Sequence, residues 1–448
     1  MHKRDFLKLL AGSIGGAILS SCTSGGLDGP GGPSGPGEVP DLPSGYRFYR
    51  IKSTGQTAPS GSAIDMFYGT AHIADNGTVT YTSRDAGLRA GIHQITVDFS
   101  EDTPKVVGER TAMEAGQTLG DGRIVDHILS VDCNADGDIA ACVQAGNTAE
   151  HFLQGMYLEM GGSGFEPVIV PGTMIAQGEA KALGGFGDVD LHGSGDMIIV
   201  TDHGPQGDVR GPGQGLVYVP GGSVAGSSIL MSTGDSVPGT DAAVSGIGLV
   251  DMHDGGHYVA QATADRVLQT GAESRGTPTD SETVLLRGNV GAPHDSAAIA
   301  SSRSVAAAQM QGDSDYGPRT GPDGLVAHIL ALSAGAESLI YGPQVALTTG
   351  DPSPAGGEVL GFGPGSFGPD GVLYYTLFSR SVAGLELAAY NGRDHRILLS
   401  RGDALSDGSP PIESVIFGTT TEHVDSQGRL AFLCEFPDAT SLVVGVPV

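Results

Sequence analysis

The sequence predicts an all-β fold, a seven-bladed β-propeller built of four-stranded antiparallel blades. Three observations predict it. One turn motif recurs seven times, a second motif recurs in step with it, and the two chain ends are one strand out of phase with the blades. Four short strands repeated around a ring is the pattern of a propeller.

The first motif is a β-like run that ends in Gly and a polar residue, then small residues or Pro. "ILMSTGDSVPGT" (Ile229 to Thr240), "VALTTGDPSPAGG" and "ILLSRGDALSDG" are three copies. Its Gly falls at 55, 116, 178, 234, 288, 350 and 402, at intervals of 61, 62, 56, 54, 62 and 52 residues. A β-solenoid repeat is shorter, roughly 20–30 residues, so this period argues against one. After the Gly stand Gln56, Gln117, Glu179, Asp235, Asn289, Asp351 and Asp403. Charge is not retained among them, but a hydrogen-bonding side chain is. That suits a cap on nearby backbone N–H groups, not a metal ligand or a catalytic base.

The second motif is a turn ending in Gly followed by an alternating strand: "NGTVTY", "DGDIAA", "SGDMII", "GGHYVA", "DGVLYY" and "QGRLAF". Its Gly falls at 77, 137, 195, 256, 371 and 428, with a weaker copy, "SRSVAA", that puts Arg303 at the Gly place. Period-two alternation pervades the chain and no sustained 3.6-residue period appears. The chain begins with one strand, "YRFYRIKSTG", and ends with three: "SVIFGTTTEHVD", "RLAFLCEF" and "TSLVVGVPV". One plus three completes a blade, so residues 46–54 are expected to pair with the blade of residues 413–448 and close the ring.

The second motif resembles a family of bacterial surface proteins named for a tandem NxxGxxAF repeat. "NADGDIAA" at Asn134 and "SQGRLAF" at Ser426 are the nearest copies. The resemblance implies an exported repeat protein. It implies no particular chemistry.

Domain organisation reads as three parts. Residues 1–21 have a basic start, a short apolar run broken by Gly and a small-residue stop, the form of an export signal. "KRDFLK" resembles a twin-arginine signal with Lys3 in place of the first Arg, which leaves the route open to general secretion. "LSSC" resembles the bacterial lipobox, which implies lipidation of Cys22. Thr23 after that Cys resembles lipoproteins sent on to the outer membrane. Residues 22–45 are mostly Gly, Pro and Ser, a flexible tether. Residues 46–448 are the propeller. The membrane is thus an expected partner, through a lipid, with the domain at the cell envelope, in the outer membrane or at the cell surface.

Composition excludes some functions. Among 448 residues there are 73 Gly and no Trp, and the formal net charge is −28. Cleavage before Cys22 removes three basic residues and one acidic, leaving 20 and 50, a net of −30. Nucleic acid is therefore not an expected partner. Cys133 and Cys142 flank a hairpin turn with Cα atoms about 13 Å apart, too far for a disulfide. With Cys434 they read as free, buried small hydrophobes.

No nucleotide-binding, zinc or nucleophile motif is present. Two stretches read as long loops between the second and third strands of a blade, where function gathers on a rigid scaffold. The first, residues 202–214, carries Asp202, His203, Asp208 and Arg210. The second, residues 311–324, carries Asp313, Asp315, Tyr316 and Arg319. Asp313 and Asp315, spaced Asp-x-Asp, suit Ca²⁺; no other cofactor is identified. A second cluster is Asp188, Asp190 and His192 with Asp251, His253 and His257, residues that alternation can aim at the channel from neighbouring blades. Three functions follow. The first is a lipid-anchored module binding a protein or glycan. The second is a hydrolase or lyase acting on a glycan, lactone or ester with an Asp/His site near the axis. The third is a structural surface protein. Convergence of the Asp/His cluster at the axial mouth is what the enzyme requires.

Overall fold

The computed structural model describes residues 39–146, 153–176, 180–205, 213–253, 255–266, 281–293, 296–301, 317–331, 336–381, 384–418 and 422–448. The chain divides into two units, Met1–Gly37 and Glu38–Val448, and the second holds all the described residues. It is a seven-bladed β-propeller.

Each blade is an antiparallel meander with its first strand innermost. Blade 1 runs Met66–Ile73, Thr78–Arg84, Ala90–Asp98 and Lys105–Glu114. Blade 2 runs Ile124–Cys133, Ile139–Gly146, Leu153–Glu159 and Glu166–Ile169. Blade 3 runs Ala180–His192, Asp196–Pro205, Gly213–Val219 and Ser228–Ser232, with the short strand Met174–Ile175 added at its start. Blade 4 runs Ala242–His253, His257–Arg266, Ser281–Asn289 and Ser296–Ser301. Blade 5 runs Arg319–Thr320, Val326–Ala331, Glu337–Tyr341 and Gln344–Thr348. Blade 6 runs Val359–Phe367, Leu373–Ser379, Leu385–Tyr390 and His395–Leu399.

Blade 7 closes the ring as the phase of the ends predicts. It consists of Ser414–Ile416, Leu430–Glu435 and Thr440–Pro447, with Tyr46–Ser53 as its outer strand. The two ends pair from Tyr46 with Pro447 to Ser53 with Ser441, with a register shift between Arg50 and Lys52.

The repeated Gly-polar motif is the crossing between blades. Gly55, Gly116, Gly234, Gly350 and Gly402 all have φ between 84° and 96°. A Cβ at any of them would touch nothing within 4 Å, so the backbone conformation alone selects Gly. The polar residue that follows caps the end of the outer strand. Gln56, Gln117, Asp235, Asp351 and Asp403 accept from the N–H groups of Ser53, Glu114, Ser232, Thr348 and Ser400 at 2.8–3.1 Å. Asp235 is therefore turn chemistry.

The blade 4 to blade 5 region departs from the sequence reading. Gly288 lies inside the third strand of blade 4, opposite Tyr258. It is Gly because a Cβ there would stand 2.4 Å from the Tyr258 ring. "SRSVAA" does not start the second strand of blade 5: Ser301 ends blade 4, and residues 302–316 are outside the described residues. The first turn of blade 5 is Pro322–Gly324, and Gly324 with φ 71° takes the Gly place. Residues 311–324 are therefore no loop between second and third strands. The second and third strands of blade 4 are joined across residues 267–280, and that length set the first turn of blade 5 too early by 21 residues, at Arg303 instead of Gly324.

Adjacent blades bury apolar faces between them. Tyr49, Phe67, Tyr81 and Leu442 fill the join of blades 7 and 1, and Val200, Leu216, Val250 and Tyr258 that of blades 3 and 4. Each such side chain contributes about 1.5–3 kcal/mol on burial. Cys133, Cys142 and Cys434 are free and buried in this packing, as expected.

Candidate functional site

The blade meander puts first-to-second turns on one face of the ring, the turn face. Second-to-third loops and blade crossings lie on the other, the loop face. Counting five residues back from the Gly of each first turn reaches His72, Asp132, Asp190, Asp251, Arg319, Ser366 and His423. All seven are polar, all stand on the innermost run of their blade, and all are buried. Only Asp190, Asp251 and Arg319 are candidates from the sequence.

This ring of positions ties each blade to the next. His72 Nε2 lies 3.0 Å from the Asn134 carbonyl of blade 2. Asp132 accepts from Leu191 N–H at 2.7 Å. Asp190 accepts from Met252 N–H, and Asp188 from Val250 N–H at 3.0 Å. Asp251 accepts from Thr320 N–H at 2.5 Å and from Arg319 Nη1 at 2.9 Å. Arg319 Nε donates to the Gly365 carbonyl at 2.9 Å. Ser366 Oγ accepts from His423 N–H at 3.1 Å. Between blades 7 and 1 the ring is completed beside the turn, where Asp75 accepts from Ser426 N–H at 2.8 Å and from Arg429. Inner strands cannot pair edge to edge at the axis, so these side chains satisfy their main-chain donors instead.

The carboxylates are strongly perturbed. Asp132 Oδ1 is buried beside Asp190 with no hydrogen-bond donor among the described residues. Burial first, then the Asp190 charge, raises the Asp132 carboxyl well above its ordinary range. Burial, then the Asp251 charge, pushes Asp190 up to about 7. Burial pushes Asp188 up to about 6, against hydrogen bonding and the Arg319 charge. Asp251 is also raised by burial despite its ion pair with Arg319. Burial lowers His72 and His423 to about 4, so both are neutral.

The signs set the pH dependence. Stability from the raised carboxyls is full below about pH 4 and lost as pH rises through about 6–7. Stability from the depressed imidazoles is full above about 6.5 and lost as pH falls towards about 4. The limbs oppose each other below about pH 6.5, and only the carboxyl limb remains above it. The unfolding midpoint is expected to decline from pH 6.5 to 8. Asp132→Asn, which removes a carboxyl that burial raises, is expected to flatten the alkaline decline between pH 6.5 and 8. Urea midpoints across that range read it, and parallel wild-type and variant curves refute it.

The remaining candidates divide between wall and rim. His192 and His253 hold matching positions, with ring centroids 5.6 Å apart, edge to face. His257 pairs with His253 across the blade 4 hairpin, away from Asp188 and Asp190 on blade 3. Asp202 and His203 stand near the loop-face end of the second strand of blade 3. His203 Nε2 is 3.2 Å from Ser232 Oγ, and burial lowers its basicity. Asp208, Arg210, Asp313, Asp315 and Tyr316 lie outside the described residues, so the Ca²⁺ expectation falls there too. Arg319 is corrected from loop residue to inner-strand residue. Among the described residues no group of three or more His, Cys, Asp or Glu is placed to hold a metal ion.

No protein-family model and no curated protein sequence matches the chain. Solved structures resemble its fold. A puromycin-hydrolyzing peptidase of Mycobacterium tuberculosis aligns with TM-score 0.46 and 13% identity over 89% of this chain and 54% of that one. The chain thus spans about half of that peptidase's length. The six-bladed fucose-binding lectin of Aleuria aurantia aligns with TM-score 0.34 and 10% identity over 76% and 95%. The polysaccharide lyase Uly1 aligns with TM-score 0.35 and 10% identity over 86% and 78%. At such values the likeness assigns no substrate and no chemistry.

Proposed function

We propose that this chain is an exported, lipid-anchored propeller that works as a binding module at the cell envelope. In this reading Cys22 carries the lipid, residues 23–38 are the tether, and the loop face makes the contacts; Leu42 and the Pro40 and Pro43 carbonyls already pack on the propeller. The observation that supports it is the engagement of the axial carboxylates. Asp190 is bound to Met252 N–H, and Asp251 to Thr320 N–H and to Arg319. Groups so fixed hold blades together and are not aimed at a substrate.

A hydrolase or lyase is the competing reading, and the observation in its favour is two adjacent buried carboxyls, Asp132 and Asp190, both raised above their ordinary range. The test is turnover. The purified chain is expected to leave a panel of fluorogenic esters, lactones and glycosides intact. Turnover that Asp190→Asn abolishes in a folded protein establishes the enzyme and removes the binding-module reading. Separately, Cys22→Ala is expected to abolish labelling by a palmitate analogue and release the protein from the membrane fraction. Unchanged labelling removes the anchor.

A further inference from the structure

We propose that the groove between blades 1 and 2 on the loop face docks an extended, Lys- or Arg-bearing segment of a protein partner. This rests on the binding-module reading and names its site and partner class.

The groove is an open hollow of about 770 Å³, within the range of ligand sites. It runs under the crossing from the outer strand of blade 1 to the inner strand of blade 2, lined by Arg89, Glu114, Gln117, Ile124 and Asp126 among others. That path crosses the width of a blade, about 14 Å, the length of some four extended residues. Glu114 and Asp126 give two carboxylates against the single Arg89, and Asp126 also meets His127 Nδ1 at 2.7 Å. Among the described residues neither the Glu114 carboxylate nor the Arg89 guanidinium has an ion-pair partner. A chain of net charge −28 draws a basic segment toward such a groove, and Arg89 is left to take a carbonyl or carboxylate beside the base.

The rim is apolar and rigid. Leu88 is 72% exposed yet sits at φ 63°, a conformation that favours Gly. Asp85 fixes it there, accepting from Gly87 N–H at 2.8 Å, Arg89 N–H at 2.9 Å and Leu88 N–H at 2.9 Å. A strained Leu aimed at solvent does nothing for the fold and suits contact with something else. Ile124 is exposed on the opposite side, and Met66 at the same end of blade 1. Aliphatic edges around paired carboxylates match the stem and head of Lys or Arg. A sugar would need a ring to stack on, and no aromatic residue lines the groove among the described residues.

The mature chain is panned against a random nonapeptide display library, and selected peptides are titrated by fluorescence polarisation. The expected peptides carry Lys or Arg beside aliphatic residues and bind more weakly as salt rises. Glu114→Lys and Asp126→Asn together are expected to weaken them at least tenfold. Leu88→Gly weakens them too while holding or raising the thermal midpoint, a combination that a merely structural role does not give. Val345→Ala, exposed on the turn face, leaves them unchanged. Failure to select any peptide, peptides without a basic residue, or equal binding by the groove variants overturns the site. So does self-association of the chain that Glu114→Lys abolishes, which marks the groove as a contact between copies. None of these outcomes touches the binding-module reading, which turnover tests.

Discussion

Arg319→Ala is expected to destabilise the propeller by about 3–5 kcal/mol, because it leaves the Asp251 carboxylate buried without its counter-charge. Both side chains are about nine-tenths buried, so solvent cannot replace the missing partner. The same change removes the donor to the Gly365 carbonyl, the tie between the inner strands of blades 5 and 6, and leaves the outer ties such as Glu337 to Phe362 N–H. The inner strand of blade 5 is only Arg319–Thr320, so little backbone pairing stands in reserve there. A second substitution separates charge from geometry. Asp251→Asn keeps an oxygen for the Thr320 N–H and removes the uncompensated charge. The double variant is therefore expected to recover about 1–3 kcal/mol of the loss. Guanidinium denaturation of the four proteins of this cycle measures both quantities. A cost for Arg319→Ala below about 1 kcal/mol, with no recovery in the double variant, means that Asp251 is hydrated from the channel and the tie is ornamental.

The blade count, strand order and ring closure were legible because a local period encodes them. A crossing needs a Gly at positive φ and a capping side chain, and both leave marks at fixed places in the chain. The fifth blade was not legible for the same reason. Its inner strand is two residues long and shows no alternation, while Gly288 in the strand before it imitates the crossing motif for a steric reason of its own. Arg319 consequently read as part of a loop.

At the axis, the sequence exposed the residue types and hid their partners. Asp188 and Asp190 stand out as carboxylates, but the groups they bind are main-chain N–H donors 62 residues away. That distance is one blade period, so the tie becomes visible only when the blades are aligned on their turn Gly. So aligned, the place five residues earlier reads His, Asp, Asp, Asp, Arg, Ser, His. A position that stays polar while its charge changes sign is doing hydrogen-bonding work between blades. His72, Asp132, Ser366 and His423 were discoverable by that step alone.

Covalent closure of the ring is expected to stabilise it by up to about 5 kcal/mol, since a disulfide across the ends closes nearly the whole domain. Ser53 and Ser441 are cross-strand partners with hydroxyl oxygens 2.8 Å apart, a separation of 388 residues along the chain. Cys434 is the cross-strand neighbour of Ser441 on its other side and would compete for the new thiol. The experiment therefore places Ser53→Cys and Ser441→Cys in a Cys434→Ala background and compares oxidised with reduced protein. If the propeller opens first at this seam, the oxidised form unfolds later in heat and in denaturant. The converse change weakens the same seam. Phe48 is buried, stacked on Tyr46 and edge-on to Phe432, so Phe48→Ala is expected to cost about 3–5 kcal/mol. Arg47→Ala, which removes only an exposed pair with Asp102, stays within about 0.5 kcal/mol. In the crosslinked background Phe48→Ala still loses its packing, but the ends cannot separate, so unfolding slows even as the equilibrium weakens. Identical unfolding rates for oxidised and reduced protein locate the first opening elsewhere, and the blade 4 to blade 5 join, with its two-residue inner strand, is then the place to look.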